Sequence, residues 1–197
     1  MERNMKKMPT LFVREFDHRW SILRVTDKVT EGCEWVVNGE GVATEKLDGS
    51  CTALIDGKFY KRFDWKLGRR LPEGAIPCQE SADLVTGHFP HWVKVDPNNP
   101  ADKWYWNAYI NTPWAVEDGT YEAVGLHFQG NPYEMDDDFL EMHGRRKLYN
   151  VPRDYEGLRA YLKVNDIEGI VWHRGNGEMC KLKRSDFGYR WNGKGRK

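Results

Sequence analysis

The sequence predicts an α+β fold, and three patterns carry that expectation. Two pairs of alternating segments are joined by Gly-containing turns, at Asp56-Gly57 and at Gly175-Asn176-Gly177. A fifth alternating segment, 119-GTYEAVGLHF-128, stands between the pairs. Near the C-terminal end, Tyr155, Leu158, Tyr161 and Leu162 recur instead at helical spacing. Strands dominate and helices interrupt them without regular alternation, which is the α+β pattern.

Taken in order, 10-TLFVREF-16 reads as the first strand. The segments 50-SCTALI-55 and 58-KFYKRF-63 flank Asp56-Gly57 as a hairpin, because Asp-Gly readily takes the left-handed conformations of a tight turn. Three prolines and many aromatics in 87-GHFPHWVKVDPNNPADKWYWNAYI-110 predict a long packed loop with a short element near its end. The strand at 119–128 closes at Gly130-Asn131-Pro132, and 153-RDYEGLRAYLKV-164 forms an amphipathic helix. Finally 167-IEGIVWH-173 and 178-EMCKLKR-184 make a second hairpin. With no repeat, no low-complexity linker and 197 residues, a single domain over 1–197 is expected.

Composition narrows the class. Hydrophobic residues at 40% and aromatics at 13% describe a folded chain rather than a disordered one. No apolar run reaches bilayer length, and the start MERNMKKMPT lacks a signal peptide's apolar stretch, so no membrane partner is expected. Cys33, Cys51, Cys78 and Cys180 lie far apart with no Cys-x-x-Cys pair. That spacing predicts free thiols in a reducing, cytoplasmic setting and argues against a zinc site. His88, His91 and His143 show no ligand spacing either. The net charge is zero but unevenly placed: six Lys/Arg against Asp64 between Lys58 and Arg70, and seven against Asp186 from Lys181 to Lys197. Such basic stretches accommodate a polyanion despite the neutral total.

Four features in order suggest chemistry: Lys46 with Asp48-Gly49, Glu122 on a strand, Glu168-Gly169 opening a strand, and Lys181 and Lys183 on its hairpin partner. Residues two apart on a strand share a face, so both lysines project together, with Glu168 brought near by the short turn. Carboxylates that hold Mg²⁺ and lysines that neutralise phosphoryl charge suit a triphosphate. Taken singly, each of these residues reads first as a strand-end or edge charge; their occurrence together and in order is what points to chemistry.

The segments 44-TEKLDG-49, 121-YEAVG-125, 168-EGIVWH-173 and 180-CKLK-183 resemble the successive motifs of covalent nucleotidyltransferases. Adding 8-MPTLFVREF-16, 87-GHFPHWVKV-95, 129-QGNPY-133 and 181-KLKRSDFGYRW-191, the chain resembles the RNA ligase 1 family as a compact member. The resemblance implies an ATP-grasp-like nucleotidyltransferase domain whose two antiparallel sheets flank a nucleotide cleft. It implies an ATP-dependent RNA ligase that joins 5′-phosphate and 3′-hydroxyl ends through a lysyl-AMP intermediate, with Mg²⁺ or Mn²⁺.

Carried over by position, Lys46 is the residue adenylated, while Thr44 and Glu45 frame the adenine. Gly49 lets the backbone pass close to the nucleotide. Arg62 reaches the ribose or the incoming 5′-phosphate. Glu122 serves the ribose or a metal, Glu168 a metal. Val171 packs on the adenine, and Lys181 and Lys183 bind the α-phosphate. Phe128 is a candidate for the second adenine face. Thirteen residues follow Arg184, so no C-terminal oligonucleotide-binding barrel is expected. Larger members of the family extend past this chain, so the segments 58–70 and 181–197 are the expected strand-gripping surfaces. A monomer is expected. The residues alone leave open a DNA nick ligase, an adenylated module that joins nothing, and RNA against DNA. Aromatics such as Trp65 and Trp104-Tyr105-Trp106 suit either base stacking or core filling.

Overall fold

A computed structural model describes residues 8–19, 21–66, 68–83, 87–115 and 117–191. Lys194, Arg196 and Lys197 of the expected basic C-terminal surface lie outside the described residues. The chain begins with strands β1 (Phe12–Phe16) and β2 (Ile22–Val29), a short helix α1 (Glu34–Val37) and strand β3 (Val42–Lys46). It continues through β4 (Ser50–Ile55), β5 (Lys58–Lys66), β6 (Ile76–Pro77) and β7 (His88–Lys94). A 3₁₀ turn (Pro100–Asp102) leads into α2 (Lys103–Ile110), followed by β8 (Gly119–Val124) and β9 (Phe139–Met142). Last come α3 (Tyr155–Val164), β10 (Gly169–His173), β11 (Met179–Lys183) and a 3₁₀ turn (Arg184–Phe187). The elements divide into two compact units: Asp48–His143, and residues 8–47 with 144–191.

The α+β expectation is met. Three sheets stand among the described residues where two were expected: β1-β2, β11-β10-β3, and β6-β7-β5-β4-β8-β9. The additional pair arises because β2, weakly alternating and exposed along much of its length, gains its strand character from pairing with β1. Just ahead of β1, the Leu11 N–H donates to the Lys181 carbonyl at 2.8 Å, and the Lys181 N–H donates to the Pro9 carbonyl at 3.0 Å.

In the unit built from residues 8–47 and 144–191, Asp154 caps α3 by accepting from the Gly157 N–H at 2.8 Å. Leu158 and Leu162, four apart on one helix face, are fully buried against Ile170, Trp172, Cys180 and Leu182. Burying each leucine contributes roughly 1.5–3 kcal/mol. Because strand faces alternate, the opposite face of the β11-β10-β3 sheet is left for other work.

In the Asp48–His143 unit, the Asp56-Gly57 turn has φ of 50° and 67°, the doubly left-handed form that suits a hairpin's twist. Asp118 accepts both turn N–H groups, at 2.7 and 3.1 Å. One face of the six-stranded sheet packs Leu54, Phe59, Tyr121 and Leu140 on the α2 side together with Phe128. Phe128 is thus a core residue there, 5% exposed. The other face carries Cys51, Ala53, Ile55, Tyr60, Cys78 and Trp92.

The expected loop over 87–110 opens instead as strand β7, while helix α2 is the short element expected near its end. The misleading residue is Pro90. Its carbonyl accepts from the Cys78 N–H at 2.9 Å, toward the short edge strand β6. A residue's N–H and C=O point to one side of a strand, so the missing donor also faces that side and no bond to β5 is lost.

Candidate functional site

Register places the predicted residues in rows across the three-stranded sheet. Lys46 of β3, Gly169 of β10 and Lys183 of β11 are directly opposite one another, and Thr44, Val171 and Lys181 form the next row on the same face. Residues more than a hundred positions apart therefore share one patch, on the side away from the α3-packed core.

Glu168, 5% exposed, joins the lysines. Its Oε2 accepts from Lys46 Nζ at 2.6 Å and its Oε1 from Lys183 Nζ at 2.6 Å. Glu168 precedes a glycine for a steric reason: a Cβ on Gly169 would stand 2.3 Å from the Leu182 carbonyl oxygen and 2.9 Å from Lys183 Cα. Only glycine lets β10 approach β11 closely enough to set the carboxylate between the two lysines.

Lys181 is the third amine of the patch. Its pKa is held down to about 8, first by burial and then by Lys46, Lys183 and Arg14. A carboxylate bound elsewhere shapes this end of the site. Asp186, fully buried, accepts from Arg14 Nε and Nη2 at 3.0 and 2.6 Å and from the Lys183 backbone N–H at 2.8 Å. Sequence reasoning missed both Arg14 and Asp186. The one available signal was their presence in two segments that carry the family resemblance. Thr44 donates its hydroxyl to the Val171 carbonyl at 3.1 Å and meets His173 Nε2 at 3.0 Å, so the hydroxyl oxygen accepts from that nitrogen.

Val171 sits buried at the centre of this face, between Thr44 and Lys181. Glu45 does not share it. Opposite Ile170 in the register, its side chain lies on the other side of β3, 3.5 Å from Arg146.

Gly49, Arg62 and Glu122 belong to the Asp48–His143 unit. What presses on Gly49 there is strand β8, backbone and side chain alike: a Cβ would lie 2.2 Å from the Ala123 carbonyl oxygen and 2.8 Å from Glu122 Cγ. Glu122 pairs with Cys51 across β8 and β4, and its Oε2 lies 2.8 Å from His143 Nε2. Arg62 donates through Nε to Asp64 at 3.1 Å and feels the charge of Glu122. His143, which has no ligand spacing in the sequence, is thus a neighbour of a predicted site residue. Among the described residues, no helix is long and apolar enough to cross a membrane.

Comparison with known proteins supplies the family context. A family model described as RNA ligase 1 matches residues 111–196. RNA ligase 1 of Rattus norvegicus is 25% identical over 265 positions, spanning 94% of this chain and 82% of the rat protein. RNA ligase 1 of Mus musculus is 24% identical over 94% of this chain and 81% of its own, and that of Danio rerio 25% over 84% and 67%. The rat alignment is longer than this 197-residue chain, so that relative carries residues between the matched segments that this chain lacks.

Proposed function

The chain belongs to the RNA ligase 1 family, and from that premise we propose that it joins RNA 5′-phosphate and 3′-hydroxyl ends with ATP, through an AMP adduct on Lys46. The observation that carries the reading is the Lys46–Glu168–Lys183 cluster, with Lys181 beside it on the same sheet face. The proposal takes both compact units as parts of one nucleotidyltransferase domain.

An ammonium has no lone pair with which to attack. Glu168 Oε2, bonded to Lys46 Nζ at 2.6 Å, holds that nitrogen in place, and the proton passes to solvent before attack. The free amine attacks the α-phosphorus of ATP. An N–P bond forms, the bond to the bridging oxygen breaks, and pyrophosphate leaves. Lys181 and Lys183 offer cations to the non-bridging oxygens on which charge builds. In the second step a 5′-phosphate oxygen of RNA attacks the adenylate phosphorus and Lys46 is released. In the third a 3′-hydroxyl attacks that 5′-phosphate and AMP departs. Phosphate contacts to Lys58, Lys66, Arg69 and Arg70 supply affinity for the strand, whereas Lys61 of the same basic stretch is held by the buried Asp102. Arg62 keeps the proposed part of contacting the ribose or the 5′-phosphate.

Glu168 suits the metal the family implies. It is a hard oxygen donor beside phosphate-binding lysines, the kind of single carboxylate that Mg²⁺ or Mn²⁺ uses together with phosphate oxygens. When bound, such an ion would neutralise phosphoryl charge. Glu122 has a thiol and an imidazole for company, a set that does not fit Mg²⁺.

The test is a 5′-labelled, 5′-phosphorylated single-stranded RNA incubated with ATP and Mg²⁺, beside DNA of equal sequence, on a denaturing gel. Circles or joined strands with RNA alone support the proposal. Joining only of nicked duplex DNA would replace it with the nick-ligase reading, and adenylated ends that never join would reduce the chain to an adenylation module.

A further inference from the structure

We propose that Cys51, Glu122 and His143 form a binding site for a borderline transition cation, Zn²⁺ in the first instance, separate from any Mg²⁺ at Glu168. One donor atom from each, the Cys51 Sγ, a Glu122 carboxylate oxygen and a His143 ring nitrogen, lie within 4.8 Å of one another. Donors around tetrahedral zinc stand roughly 3.3–3.8 Å apart, given bonds of about 2.0–2.3 Å. Modest side-chain rotation closes that difference.

The fold rather than the sequence assembles the trio. Cys51 and Glu122 are direct cross-strand partners on β4 and β8. His143 follows β9 and is fixed opposite Thr120 by its N–H to the Thr120 carbonyl at 3.1 Å, which puts it on the same face as Glu122. The absence of any Cys/His spacing argued against zinc from sequence; strand pairing makes spacing irrelevant here.

The donor set selects the metal. Thiolate and imidazole favour Zn²⁺ over Mg²⁺ or Ca²⁺, and the carboxylate completes three protein ligands, leaving a fourth position open. A partner for the remaining ring nitrogen is also in place. His143 Nδ1 lies 3.0 Å from Thr120 Oγ1. Without metal, the Thr120 hydroxyl donates to Nδ1 and Nε2–H donates to Glu122; with metal, Nδ1–H donates to the hydroxyl and Nε2 becomes a ligand. Binding displaces the Cys51 thiol proton to solvent, and the cation's two charges are balanced by thiolate and carboxylate. The positive Arg62, tied to Asp64, stands near enough to favour an anionic oxygen, such as a phosphate oxygen, in the fourth position. His143 remains partly exposed, which gives the ion a way in.

The experiment is a Co²⁺ titration of the chelator-treated full chain, followed by ultraviolet–visible spectroscopy. The expected result is one equivalent bound, with a thiolate-to-cobalt charge-transfer band and intense visible bands of a four-coordinate ion, both abolished by Zn²⁺. C51S should lose the charge-transfer band, and H143Q should weaken binding by more than the roughly 10–100-fold that losing an outer partner of a ligand costs, while the thiolate band persists at saturating metal. The double variant C33S/C180S should retain the whole spectrum, since those thiols pair with each other at 2.9 Å in the other unit. Absence of the band in the wild-type chain, or its survival in C51S, would overturn the site. A circular dichroism spectrum of C51S matching wild type excludes misfolding as the cause of a lost band. The readout is independent of strand joining, so it stands or fails apart from the ligase reading.

Discussion

Lys46 Nζ and Glu168 Oε2 lie 2.6 Å apart although 122 residues separate them in the chain. The contact exists because β3 and β10 pair in the register that sets Lys46 opposite Gly169. A one-residue slip would send Lys46 to the core face and Glu45 to the site face.

If Lys46 is the nucleophile, Lys46→Ala leaves no covalent AMP, read as the mass shift of the intact protein after incubation with ATP. Lys46→Arg should fail equally, because a guanidinium keeps its charge and cannot attack. Normal labelling of either variant would remove the mechanism.

Glu168→Gln removes the carboxylate shared by two lysines. Adduct formation should fall about 10²–10³-fold, the scale on which losing one group that stabilises developing charge is felt. Stability should drop by about 1–3 kcal/mol, below the full cost of breaking a buried pair because Lys46 and Lys183 are 19% and 32% exposed. Denaturant melts compared with the Glu168→Gln/Lys183→Gln double variant would show coupling; strict additivity would mean the pair contributes nothing.

Lys181 sets a pH dependence. Its pKa of about 8 in the folded chain lies below the ordinary lysine value of 10.5. Between pH 8 and 10.5 the unfolded chain holds more protons here than the folded one, so this group raises stability as pH increases through that window. Below pH 8 the folded state carries a charge that its surroundings disfavour. Lys181→Met should therefore be more stable than wild type at pH 7, by roughly 1–3 kcal/mol, with the advantage shrinking toward pH 10.5. Thermal melts at three pH values check this, and a pH-independent difference would contradict it.

Gly169→Ala should cost about 2 kcal/mol or more, since its Cβ would meet the backbone of β11 at 2.3 Å and that strand cannot yield cheaply. Gly175→Ala, with nothing within 4 Å of an added Cβ, is the control and should melt near wild type. Equal melting temperatures for the two variants would show that β11 relaxes.

Local chemistry was legible without coordinates. Asp56-Gly57 announced its hairpin, the period of Tyr155, Leu158 and Leu162 its helix, and the Lys181/Lys183 spacing a shared strand face. These signals are local, fixed by backbone preferences and side-chain periodicity over a few residues. The strand at Pro90 was hidden, because a proline is tolerated where its missing donor faces a short edge strand, and that depends on the neighbour.

Long-range pairing was beyond the sequence for the same reason. Residue pattern alone was enough for the α+β class, the order of the motifs and the residue types of the Lys46, Glu168, Lys181 and Lys183 group. The tertiary structure alone decided that Glu168 bridges Lys46 and Lys183, that Arg14 reaches Asp186, that Glu45 faces away, and that Cys51, Glu122 and His143 meet. Strand register is a global choice settled by which faces can be buried, so it appears only when the whole sheet is assembled.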